Sequence, residues 1–84
     1  MGSQQPILRP KDIITASLQK TVVVKLKSQK LVRGILNSFD QHLNLFLNSA
    51  EELQENKSIS LGNVIIRGDN VILLIFPREE GEER

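Results

Sequence analysis

Val64-Ile65-Ile66-Arg67-Gly68-Asp69-Asn70-Val71-Ile72-Leu73-Leu74-Ile75-Phe76 is the stretch that decides the architecture. Two apolar runs flank four polar residues rich in turn formers, so the spacing predicts two short strands joined by a tight connection and closed by Pro77. Neither run alternates. Both are apolar on the two faces of the pleat, and both faces therefore need cover. A chain of 84 residues has little material to supply it, because a domain this small withdraws only about 60% of its unfolded surface from water. An apolar terminal strand left bare also invites edge-to-edge association. The pattern leaves two solutions open. Neighbouring copies join through strand edges, or a closed barrel pairs the last strand with the first.

Working back from this stretch, Ile59 to Ile66 is the fourth strand, and the polar loop Glu55-Asn56-Lys57 precedes it. Leu43, Leu45 and Leu47 alternate with Asn44, Phe46 and Asn48, which predicts a third strand running toward Leu53. Lys30 to Phe39 reads as a second strand in which Gly34 marks a bend or a close backbone approach. Val22, Val24 and Leu26 share one face of a first strand. Before it, Arg9-Pro10-Lys11-Asp12 leads into Ile13, Ile14, Ala16 and Leu18, the signature of one helix of about two turns. The fold class is mainly β: a short N-terminal α-helix followed by a strongly bent five-stranded antiparallel sheet.

Composition excludes several functions. The chain has no cysteine and one histidine, so disulfides, thiolate nucleophiles and a structural metal site are not expected. No glycine loop of the Walker or dinucleotide type is present, and no cofactor is implied. The first residues lack the features of a signal peptide, which with the missing cysteine points to a cytoplasmic protein. Net charge is +1, but two Arg and four Glu fall in the tail 78–84. Residues 1–77 keep nine basic against six acidic residues, a mild bias compatible with nucleic acid. Residues 1–9 read as a flexible N-terminus, 10–77 as the domain and 78–84 as an acidic disordered tail.

Chemistry concentrates in two loops. Asp40-x-His42-x-Asn44 follows the second strand and Arg67-Gly68-Asp69-Asn70 follows the fourth. In a meander these connections emerge at the same end of the sheet, so the clusters can meet. An imidazole and a guanidinium can sandwich a flat base, an amide can read its edge, and a carboxylate can hold the amide. Stacking tolerates any base, which leaves discrimination to Asn44, whose donor and acceptor complement the edge of uracil. Gly68 would let the base approach closely. The plainer reading is a solvated histidine and ordinary turn chemistry. Ser38, Asp40 and His42 fall on one strand face without a nucleophile elbow, and Glu51 and Glu52 point to opposite faces, so no enzyme is expected.

Gly34-x-Leu36-x-x-x-Asp40-x-His42-x-Asn44-Leu45 resembles the first motif of the Sm-like (Sm/LSm) family, and Ile66-Arg67-Gly68-Asp69-Asn70-Val71 resembles the second. The motifs lie within about 21–53 and 59–76, and the second separates the chain from the bacterial branch of the family. The likeness is greatest to archaeal Sm-like proteins. It implies a ring, commonly of seven identical subunits, in which the fourth strand of one pairs with the fifth of the next. It also implies binding of uridine-rich single-stranded RNA, with a scaffold or chaperone role in RNA processing or turnover. The implied uridine pocket is His42, Asn44, Arg67 and Gly68, with Asp69 positioning the amide and Asp40 and Asn70 in support. A second RNA-contact region on the helix side maps to Arg9 and Phe39, where Phe39 stands in place of a frequent Tyr. Leu43 replaces a common Met. The competing function is a platform for protein assembly, with RNA-processing proteins or paralogues as partners and RNA secondary.

Overall fold

Helix α1 (Pro10–Ala16) forms where Pro10 sets the first helical position and Asp12 serves the first turn. The Asp12 carboxylate accepts the backbone N–H of Arg9 at 3.2 Å, satisfying a donor that the helix leaves free at the end where its dipole favours negative charge. The computed structural model describes residues 9–76. The segment 1–8 and the end 77–84 lie outside the described residues, and with them the expected acidic tail and nearly all of the expected flexible start. One face of α1 buries Ile14 and, just beyond the helix, Ser17, whose hydroxyl donates to the Ile13 carbonyl at 3.2 Å. The helix stops at Ala16 and not at Leu18. Gln19 then takes a left-handed φ of 66°, and its N–H donates to the Leu36 carbonyl at 2.7 Å, docking the turn on the sheet.

Five antiparallel strands follow: β1 (Thr21–Leu26), β2 (Leu31–Phe39), β3 (Leu45–Leu53), β4 (Ser58–Ile66) and β5 (Val71–Ile75). A short 3-10 turn, Gly68–Asn70, joins the last two. The period of two is visible in the burial of Val22 and Val24 on β1 and of Leu45 and Leu47 on β3. With Leu36 these are the most completely buried large side chains. Each contributes about 1.5–3 kcal/mol over leaving it in water. The expected third strand began at Leu43. It begins instead at Leu45, because Leu43 has φ 60° and belongs to the loop.

The sheet order is β4-β3-β2-β1-β5. β5 pairs with β1, placing Ile75 opposite Val23 and Leu73 opposite Lys25. The pairing of last strand with first is thus real, but it does not close a barrel, since β4 and β5 remain the two ends of one sheet. Gly34 stands at a register shift between β2 and β3, and a Cβ there would lie 3.2 Å from the Cα and Cβ of Ala50 and from the Asn48 carbonyl oxygen. A second irregularity sits between β3 and β4, where Ser49 and Gly62 have φ 52° and 79° and the Asn63 side-chain oxygen accepts the Ser49 N–H. Bulges of this kind add curvature and twist. The curvature shelters one face, yet Ile65 is left 65% exposed, Ile72 52% and Leu73 50%.

Candidate nucleic-acid interface

The meander brings the loop after β2 and the loop after β4 into contact. Within the first loop Asp40 organises everything. Its Oδ1 accepts the backbone N–H of His42 at 2.9 Å and of Asn44 at 3.0 Å, and its Oδ2 accepts the Asn44 side-chain N–H at 2.9 Å. These bonds stabilise the ionised carboxylate, the Asn44 amide foremost, and hold the Asp40 pKa below its ordinary 3.8 against the opposing effect of burial. They also stabilise Leu43 in the left-handed region, a conformation that costs an L-residue roughly 1–2 kcal/mol.

The second loop docks through Gly68. Its N–H donates to the Asn44 side-chain oxygen at 2.8 Å. A Cβ on Gly68 would collide with the His42 carbonyl oxygen and lie 2.8 Å from that of Leu43, so this contact requires glycine. The Asn44 amide is therefore gripped at both ends: its nitrogen must face Asp40, its oxygen must face Gly68, and it cannot flip. One amide hydrogen and one oxygen lone pair of Asn44 remain without a partner among the described residues. His42 and Arg67 beside them are exposed, and the Arg67 guanidinium lies 3.5 Å from the Asp69 carboxylate.

This arrangement corrects one assignment. The carboxylate that holds the amide is Asp40, while Asp69, exposed in the 3-10 turn, faces Arg67. Asn70 is not in the amide's grip either; its N–H donates to the Arg67 carbonyl and its carbonyl accepts the Lys27 N–H at 2.8 Å. Arg9 and Phe39 line a different hollow of about 700 Å³ on the helix side, together with Lys11, Asp40, Gln41 and Leu43. The Asp40 carboxylate binds the His42 backbone N–H and makes no hydrogen bond to its ring, so a Ser38-Asp40-His42 relay does not form. Among the described residues no cluster of three or more potential ligands could hold a metal ion, and no helix is long and apolar enough to cross a membrane.

An open, bent five-stranded antiparallel sheet with one helix on it and two polar loops converging at one end defines a small, mainly β domain. The chain belongs to the LSM domain family, which matches residues 12–76. Among relatives, the Sm-like protein of Pyrococcus furiosus is 49% identical over 74 residues, covering 87% of this chain and 96% of the relative. Among solved structures, the SmAP1 heptamer of P. aerophilum superimposes with a TM-score of 0.80 at 35% identity, covering 88% of this chain and all of the other. The Sm protein of Pyrococcus abyssii, solved in complex with a uridine heptamer, gives 0.78 at 41% identity, covering 83% of this chain and all of the other.

Proposed function

We propose that this chain is a non-catalytic ring subunit, commonly one of seven identical copies, that binds uridine-rich single-stranded RNA and acts in the cytoplasm as a scaffold or chaperone in RNA processing or turnover. The observation that carries the reading is the Asn44 amide, immobilised between Asp40 and Gly68 with one donor and one acceptor left free. A fixed donor and acceptor match the adjacent acceptor and donor on the edge of uracil. His42 and Arg67 supply the stacking faces, and Asp69 holds Arg67 in place. The uridine heptamer bound by the Pyrococcus abyssii Sm protein and the heptameric P. aerophilum relative support both the ligand and the ring.

Fluorescence anisotropy with labelled oligouridine and oligoadenosine tests the pocket. The wild type prefers oligouridine. His42→Ala removes a stacking face contributing about 1–3 kcal/mol per base, which is roughly a 5- to 150-fold loss. Asn44→Ala and Gly68→Ala erase the preference itself, the first by deleting the reader and the second by forcing the loops apart. Equal binding of the two oligomers by all four proteins refutes the assignment.

A further inference from the structure

Because β4 and β5 end the sheet on opposite sides, the fold does not seal its own interior. A groove of about 260 Å³ is left, lined by Leu43 and Leu45 together with Ile72 and Leu74 of β5, Ile14 of α1 and Gly68. No polar side chain lines it, so it offers a water molecule or a phosphate little to bind. Two of its residues also frame the base pocket. The Gly68 N–H donates to the Asn44 side-chain oxygen at 2.8 Å, and among the described residues this is the one hydrogen bond between segments 40–44 and 67–70. Leu43 stands between His42 and Asn44 at φ 60°. Groove and pocket are therefore built on the same pair of loops, and one hydrogen bond holds those loops together.

We propose that this groove is a socket for β4 of a second copy of the chain, and that filling it holds Gly68 against Asn44, so that the uridine pocket is complete only in the assembled ring. The inference rests on the pocket and ring reading and couples the two. Ile72 lines the groove and is 52% exposed, on a strand whose second edge has no partner within the chain. Ile72 and Leu74 share one face of β5, so a strand added to that edge sends every second side chain over the groove. β4 suits the place: Ser58–Ile66 carries no charged residue, and it ends the sheet on the opposite side. An apolar groove filled by an apolar strand packs Leu43 and Gly68 from behind, and packed loops open less often than bare ones. Assembly and base binding then favour each other, since coupling between two sites is reciprocal.

Uridine monophosphate tests this, because a single base fills a single pocket and gains nothing from neighbouring ones. Calorimetry is expected to show the wild-type ring binding it about 5- to 150-fold more tightly than a monomeric Ile65→Lys, Leu73→Lys variant, the usual span for coupled sites. Both substitutions lie outside the groove and the pocket. Amide hydrogen exchange at Gly68, taken relative to Val24 in the middle of the sheet to remove global unfolding, is expected to quicken in the monomer. Ile72→Ala thins the socket, leaves the edge free to pair, and shifts both readings the same way in a ring that still sediments as one. Equal relative Gly68 exchange in ring and monomer, with equal affinity for uridine monophosphate, overturns the socket and spares the pocket. A ring whose Gly68 is protected but which binds no uridine monophosphate spares the socket and overturns the pocket. Affinity that falls in the monomer without quicker Gly68 exchange also overturns the socket, since the loss then arises elsewhere. Should the double variant not fold, Ile72→Ala decides alone: unchanged exchange and affinity in an intact ring overturn the proposal.

Discussion

Asp40 contributes more to the site than any residue expected to touch a base. It makes three hydrogen bonds to a five-residue loop and in doing so sets both the path of the backbone and the direction of the Asn44 amide. Its depressed pKa has a consequence with a definite sign. A carboxylate whose folded pKa lies below its unfolded value stabilises the fold above the unfolded value, and loses that contribution as pH falls through the folded one. The loop is therefore expected to stay ordered from neutral pH down to about 4 and to release only below 3.8, where Asp40 takes up its proton. Backbone amide NMR of His42 and Asn44 through an acid titration checks this. A shared midpoint above 3.8 contradicts it, and Asp40→Asn abolishes the transition. Glu51, whose pKa is held below its ordinary value chiefly by Arg33 and next by Ser58, lies away from this loop, beside Arg33 on the neighbouring strand, where its signals are separable.

At the scale of elements, the chain's own pattern anticipates most of the fold, and the reasons for the misses are local. Period-two burial in β1 and β3 and the turn residues at Arg67–Asn70 place strands and loops within a residue or two. Leu43 misleads because apolar alternation says nothing of φ; three hydrogen bonds to Asp40 outweigh the preference of Leu43 for extended backbone. The exchange of Asp69 for Asp40 has a similar origin. Each carboxylate lies in a loop that reaches the amide, and only the i to i+4 geometry of the turn decides between them. Register is equally hidden, so the Arg33–Glu51 pair across β2 and β3 cannot be read from either residue alone. Gly34 is legible as a bend or a close backbone approach, and the structure shows the approach, since Ala50 and the Asn48 carbonyl fill the space a side chain would need. Gly34→Val is accordingly expected to destabilise the fold by about 1–3 kcal/mol through overpacking against Ala50 and the Asn48 carbonyl. Urea denaturation measures it, and a midpoint equal to wild type would show that the bend tolerates a side chain.

The molecule as a whole poses the problem its last strands announced. β4 and β5 end the sheet on opposite sides, and Ile65, Ile72, Leu73 and Ile75 stand between 46% and 65% exposed on them. Bare apolar edges of this length are aggregation sites unless something regular covers them. The proposed ring supplies that cover, because each subunit has one free edge of each kind and a head-to-tail contact that closes uses both. Placing a charge on each edge, as in Ile65→Lys with Leu73→Lys, buries unpaired cations at every junction and is expected to give monomers in sedimentation velocity where the wild type gives a ring. The consequence for RNA is sharper than a simple loss of affinity. In a ring, each further uridine reaches a pocket already held close by, so affinity climbs with oligomer length until the pockets are filled. In the monomeric variant a single pocket remains, and a short and a long oligouridine should bind almost alike. A variant that sediments as a monomer yet keeps the wild-type length dependence would mean that one chain reads the whole strand, and the edges would then need another explanation.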